Sequence, residues 1–165
     1  MSRFYPISLN LNNKLCTVIG GGKIALRKIY GLLECGAIVK VISPTIKVEL
    51  KHLLKQYSTL SWVNKPYTGK EDLKGASLVF AATDNSFINE KIYNDANALN
   101  IFVNIAGHGE LRDFIVPATF NQGDLQVSIS TSGKVPGLSK AIKENLEDQF
   151  GDEYATLISI LEQVR

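Results

Sequence analysis

The chain is poor in several residue types, and each scarcity removes a class of protein. Of 165 residues only two are cysteine, Cys16 and Cys35, which is no basis for a disulfide framework. Two unclustered thiols point instead to the reducing cytoplasm. His52 and His108 are the only histidines, and neither has ligand spacing to a cysteine or to the other, so no metal site is expected. Charge of one sign is also missing. Eighteen basic and 16 acidic residues, interspersed, leave a formal +2, which argues against nucleic acid as the main partner. No apolar run reaches transmembrane length and no signal-peptide pattern opens the chain, so no membrane partner is expected. The length suits one domain with an appendage.

Glycine, by contrast, is concentrated where it carries information. Val18-Ile19-Gly20-Gly21-Gly22-Lys23-Ile24-Ala25 reads as a strand end, a glycine turn and a helix start, in the G-x-G-x-x-A form of the dinucleotide-binding turn. Gly20 suits the tight turn, and Gly22 has no Cβ to hold a pyrophosphate off the backbone. Ala25 lets the helix approach the strand, with its N–H groups and positive dipole end aimed at the phosphates. The flanks agree. Residues 15–19 are β-prone, Lys23–Cys35 has helical spacing with Ala25, Ile29, Leu32 and Leu33 on one face, and Gly36 stops it. Val39–Ser43 is a second strand, ended by Pro44. Together these make a βαβ unit. At the end of the second strand, where an NAD site usually carries Asp or Glu, stand Ser43, Pro44 and Thr45, with Lys47 nearby. On residues alone, NAD and NADP stay undecided.

The α/β alternation continues with a helix over Leu50–Tyr57, a strand over Leu60–Val63, a loop over Lys65–Gly75 and a buried strand over Leu78–Ala82. Next come a helix striped by Ile88, Ile92, Ala96 and Leu99, capped by Asp84 or Ser86, and a strand over Ile101–Ile105. Ligands of open parallel sheets lie beyond the carboxyl ends of the strands, so Gly20–Ile24, Ser43–Thr45, Thr83–Asn85 and Asn104–Gly109 are expected to converge on one cleft. After Gly109 the pattern changes. Phe114–Pro117 and Leu125–Ile129 are β-prone and separated by the turn signal Asn121–Asp124, with Leu125, Val127 and Ile129 alternating as in a half-buried antiparallel strand. A serine-rich loop leads to a helix over Gly137–Phe150. A last helix, about 152–164, shows Tyr154, Leu157, Ile158, Leu161 and Val164 on one side, a stripe still running at Arg165.

These residues carry a resemblance. Tyr5–Leu9, Gly20–Lys28, Leu33–Ala37 leading to Ser43-Pro44, Ala81–Asp84, Phe114–Ala118 and Ser128–Pro136 stand in the order and types of the precorrin-2 dehydrogenase family, which includes the N-terminal part of siroheme synthase. The chain resembles that family over essentially its whole length. The resemblance implies NAD-dependent oxidation of precorrin-2, a carboxylate-rich tetrapyrrole, to sirohydrochlorin for siroheme or cobalamin synthesis. It favours NAD, because relatives also carry a small residue and proline at that strand end. It implies a homodimer built through Phe114–Ser130, with possible hand-over of product to a separate chelatase. The fold expected is therefore an α/β Rossmann-type parallel sheet followed by a dimerisation β segment and C-terminal helices. The boundaries are 1–112 for NAD binding, 113–150 for dimerisation and substrate, and 151–165 for the start of a helical region that relatives continue further.

The candidate cofactor residues are Gly20, Gly22, Lys23, Ile24, Ser43, Pro44, Thr45, Thr83, Asp84 and Asn104. Gly107, Asp113 and Lys134 are candidates for the substrate, and His108, Ser130 and Thr131 for catalysis. The sequence departs from the family at Asn104-Ile105-Ala106-Gly107, where many relatives have an Asp that is the family's candidate general base and is tied to iron insertion. His108 and Asp113 are the nearby titratable groups. The departure weighs more against a bifunctional dehydrogenase–ferrochelatase than against a dehydrogenase. A domain that senses NAD(H) without turnover is the rival of another class.

Overall fold

The computed structural model describes residues 4–107 and 111–164. The uncharged run Leu15–Ile19 forms strand β1, buried beyond its first residue. After the glycine turn comes helix α1 (Lys23–Glu34), whose Ala25, Ile29, Leu32 and Leu33 are buried, as their spacing requires. The helix stops in a left-handed Gly36 (φ +71°). The N–H groups of Gly36 and Ala37 turn back to the carbonyls of Leu33 and Leu32, the Schellman closure. Then follow β2 (Ile38–Ile42), α2 (Val48–Gln56), β3 (Leu60–Val63), a 3₁₀ turn at Lys70–Leu73, β4 (Leu78–Ala81), α3 (Ser86–Ala98) and β5 (Phe102–Ile105).

The five strands form one parallel sheet in the order β3-β2-β1-β4-β5, with Val18 of β1 opposite Val41 on one side and Phe80 on the other. Helices cover both faces, so the central strands are apolar without alternation. One face packs Val18, Val39, Val41 and Phe80 with Ala25 and Ile29 of α1 and Leu50 of α2. The other packs Val79, Ala81, Val103 and Ile105 with Ile92 and Ala96 of α3. This is the Rossmann-type arrangement expected. Both cysteines are free; burial, and then the neighbouring Cys35, push the Cys16 thiol up to about 11.

Residues Pro6–Phe114 make one compact unit, and Ile115–Arg165 belong to a second. In the second, β6 (Ala118–Gln122) and β7 (Leu125–Ile129) form an antiparallel hairpin, Ala118 facing Ile129 and Gln122 facing Leu125. The strand expected at Phe114–Pro117 therefore begins later. Pro117 has no N–H for a ladder, and pairing starts at the residue after it. The turn is the two residues Gly123-Asp124, with Gly123 at φ +57°. Helices α4 (Pro136–Glu147) and α5 (Asp152–Gln163) follow. Phe120, Phe150 and Tyr154 form an aromatic cluster, with ring centroids 6.2 and 4.8 Å apart along the series. No residue of α5 is buried, and Leu157, Leu161 and Val164 of its stripe are exposed.

Candidate active site

The strand order reverses between β1 and β4, which is where an open parallel sheet leaves a crevice beyond its carboxyl ends. The three glycines after β1 do three different things there. Gly20 donates to the Ile42 carbonyl (3.0 Å) at φ +117°, and a Cβ on it would collide with the Ala82 carbonyl after β4. A Cβ on Gly21 would strike the Thr45 carbonyl, and the Gly21 carbonyl accepts from Lys47 N–H (3.1 Å). Gly22 is the N-cap of α1, and a Cβ on it would meet nothing within 4 Å. The space beside Gly22 is thus open to an incoming group. The cap has no side-chain hydrogen bond and the first turn no acidic residue. The first backbone bond onto Gly22 comes from Leu26 (3.0 Å), leaving the N–H groups of Lys23, Ile24 and Ala25 ahead of the ladder. A glycine cradle with free N–H groups at a positive helix end fits a pyrophosphate.

The other expected segments are tied down by their own hydrogen bonds. Ser43 is buried, its hydroxyl donates to the Thr45 carbonyl (2.7 Å), and its carbonyl accepts from the Trp62 indole (2.9 Å). Pro44 and Thr45 are exposed beside the glycine turn. Thr83 donates to Asn89 Oδ1 (2.7 Å), and Asn89 Nδ2 returns a bond to the Thr83 carbonyl (3.1 Å). Asp84 is exposed. The cap of α3 is neither Asp84 nor Ser86 but Asn85, whose Oδ1 accepts from Ile88 N–H (3.1 Å). Asn85 takes the extended N-cap conformation from which its side chain reaches the N3 amide, and Ser86 already lies within the helix.

Beyond β5 the chain turns back along the strand. Asn104, buried, donates from Nδ2 to the Phe114 carbonyl (2.7 Å). Asp113 accepts on Oδ2 from Val103 N–H (2.9 Å), so its carboxylate stitches this return. Gly107 is exposed at φ +83°. His108 lies outside the described residues.

In the second unit, Ser130 Oγ accepts from Ser132 N–H (3.0 Å). Thr131 Oγ1 accepts from Val135 N–H (3.1 Å) and bonds the buried Ser139 hydroxyl (3.1 Å). Lys134 N–H closes the loop onto the Thr131 carbonyl (3.1 Å). These hydroxyls shape the loop that precedes α4.

Residues 7–118 match a family model described as "Putative NAD(P)-binding", and 122–149 match one described as "Sirohaem biosynthesis protein central". The solved structure of SirC, precorrin-2 dehydrogenase, superposes with a TM-score of 0.79 at 30% identity, covering 97% of this chain and 78% of that one. The chain belongs to the precorrin-2 dehydrogenase family. It is also 33% identical over 162 residues to siroheme synthase of Nitrosomonas eutropha and 36% identical over 144 residues to siroheme synthase 1 of Aeromonas salmonicida. It covers 98% and 87% of itself in those matches, but spans only 34% and 30% of those proteins.

For a member of the precorrin-2 dehydrogenase family, several residues at this edge escaped sequence reasoning. Asn89, which holds Thr83, stands three residues before the buried Ile92, a polar interruption of an apolar face that was readable. Val48 and Phe87 join the expected Ile24 in leaving an exposed apolar side chain in the first turn of a helix (α2, α3 and α1 in turn), all at the carboxyl end of the sheet; Phe87 is 72% exposed. Lys28 is half-buried against Phe80. Burial, and then the like charge of Arg27, bring its ammonium down to about 8.

Proposed function

We propose that this chain oxidises precorrin-2 to sirohydrochlorin with NAD⁺. The observation that carries the reading is the open cradle at Gly22, set at the N-terminus of α1 and at the reversal of strand order. Bound NAD⁺ supplies a two-electron acceptor: the substrate gives up a hydride to it and a proton to solvent or a side chain, and an extended conjugated macrocycle results. The task left to the protein is largely positioning. Gly20, Gly22, Lys23, Ile24, Ser43, Pro44, Thr45, Thr83, Asp84 and Asn104 are the proposed cofactor side. Gly107, His108, Asp113, Ser130, Thr131 and Lys134 are the proposed tetrapyrrole side.

With Ala106 and Gly107 in the stretch where many relatives carry Asp, the chain is read as a dehydrogenase that passes its product to a separate chelatase. A homodimer in the cytoplasm is part of the same reading. Its support is the exposed apolar surface of the second unit, including Leu138, Leu157, Ile160 and Leu161. Among the described residues no helix is long and apolar enough to cross a membrane.

The test is NADH absorbance on mixing the protein anaerobically with NAD⁺ and freshly generated precorrin-2, with Gly22→Asp as the control. NADH formation that the variant loses supports the reading, because a carboxylate at Gly22, built on a Cβ that meets no protein atom within 4 Å, repels a pyrophosphate. NAD⁺ binding with no turnover would favour a sensing domain instead.

A further inference from the structure

Lys28 lies on the flank of α1 above the carboxyl half of the sheet. Its Nζ is 5.5 Å from the centre of the Phe80 ring, and Phe80 meets Phe114 edge to face at 5.3 Å. Phe80 is one residue short of the end of β4 and opposite Asn104 of β5, and Asn104 holds the Phe114 carbonyl. The ammonium therefore sits over the Phe80 ring, close under the edge where the sheet receives ligands.

No carboxylate pairs with it among the described residues, and the recorded charge beside it, Arg27, has the same sign. Comparably enclosed lysines are treated differently: Lys65 pairs with Asp72 at 2.5 Å, and Lys143 pairs with Glu147. A cation–ring contact offsets part of the loss of water but supplies no counter-charge. The lowered pKa described above, from burial first and Arg27 second, agrees with that imbalance.

Resting on the dehydrogenase reading, we propose that Lys28 receives a carboxylate of the tetrapyrrole through its ammonium. The acid side chain brings the missing counter-charge, and the half-buried setting over Phe80 strengthens the pair by limiting water. Lys28 thereby selects a ligand carrying acid groups over an esterified or decarboxylated macrocycle of the same shape. It also explains why a charged residue occupies a place where an apolar one would pack better.

The experiment compares Lys28→Met and Lys28→Arg in the full chain, titrating each with sirohydrochlorin and separately with NAD⁺, and recording Tm. For Lys28→Met the expected result is sirohydrochlorin affinity lower by about tenfold, one charge-assisted contact. NAD⁺ affinity stays within about twofold and Tm is unchanged or higher, because the apolar chain suits the Phe80 ring. Lys28→Arg recovers most of the affinity. In turnover, Lys28→Met raises KM for precorrin-2 far more than it lowers kcat. Wild-type sirohydrochlorin affinity in Lys28→Met overturns the inference, as does a lower Tm with both ligands weakened alike, which is a packing role. A wild-type protein that binds NAD⁺ but no sirohydrochlorin overturns the dehydrogenase reading and this inference with it.

Discussion

Helices α3 and α5 carry apolar stripes of similar spacing, yet one is buried and the other is not. In α3, Ile92 and Ala96 are fully enclosed; in α5, Leu157 and Leu161 are about half exposed, and the C-cap residue Val164 more so. The two units around them differ in the same way. Residues 6–114 bury Val18, Val39, Val41, Val79 and Val103 between helices on two faces. Among the described residues of 115–164 only Phe120 and Ser139 are buried. The difference lies in the sheet. Five parallel strands offer two broad faces, whereas a two-stranded hairpin is too small to cover two helices. An amphipathic pattern states what a helix needs, and the surface opposite decides whether it gets it.

The sharpest way to break this comparison is at the switch point. Gly20→Ala forces a Cβ into the Ala82 carbonyl in a left-handed conformation and is expected to cost at least ~3 kcal/mol in urea unfolding. Gly22→Ala, two residues on, meets open space and is expected to cost less than ~1 kcal/mol. It nevertheless weakens NAD⁺ binding at least about tenfold, by crowding the backbone that faces the phosphates. Equal destabilisation by the two would show that Gly22 is packed.

Next in size is the contrast between the stripes themselves. Ile92→Ala is expected to cost ~3 kcal/mol, the usual loss for a large core side chain. Leu161→Ala should change dilute protein by less than ~0.5 kcal/mol. A loss at Leu161 that approaches the one at Ile92, or that grows with protein concentration, would show the α5 stripe covered in solution. Sedimentation of Leu161→Glu then reads whether a second copy covers it.

A smaller effect belongs to the loop between β3 and β4. Asp72 is buried; its Oδ2 accepts from Thr68 N–H and Oγ1, both at 2.9 Å, while Oδ1 pairs with Lys65. Burial alone would raise its pKa, but Lys65 and Thr68 outweigh that and hold it below the usual carboxylate range. A folded-state pKa below the unfolded one stabilises fully above the unfolded value of about 3.9. That stabilisation fades as pH falls through the folded-state value. Asp72→Asn should therefore lose ~1–2 kcal/mol at pH 7 and converge on the wild type as pH falls below the folded-state pKa of Asp72. A pH-independent gap between the two would assign the effect to shape rather than charge.

The smallest effect is at the start of α3. Asn85→Ala is expected to cost ~1 kcal/mol and Asn85→Gly a few tenths, with Asp84→Ala and Ser86→Ala near neutral. A larger loss at Asp84 would return the cap to that residue.

Much of the larger unit was legible because its signals are local. Leu60–Val63 forms the strand its β-prone residues announce, Gly36 ends α1 in the left-handed turn only glycine adopts freely, and Gly20–Gly22 sit where the motif puts them. What was illegible depended on choices between neighbours. Asp84, Asn85 and Ser86 are all good caps, and backbone geometry selected the middle one. The hairpin began one residue after Pro117 because pairing partners, not propensity, decide where a ladder starts. Lys28 could be seen as part of a motif but not as an ammonium set against an aromatic ring.

Residue order by itself determined the alternation of strands and helices, the glycine turn and the apolar faces, since each follows from backbone sterics and a period of two or 3.6. Tertiary structure alone decided which stripe found cover, which of three glycines faces open space, and where, among the described residues, an ammonium was left over a ring without a counter-charge. Those outcomes depend on atoms from segments far apart in sequence meeting at one place, and no local pattern records that meeting.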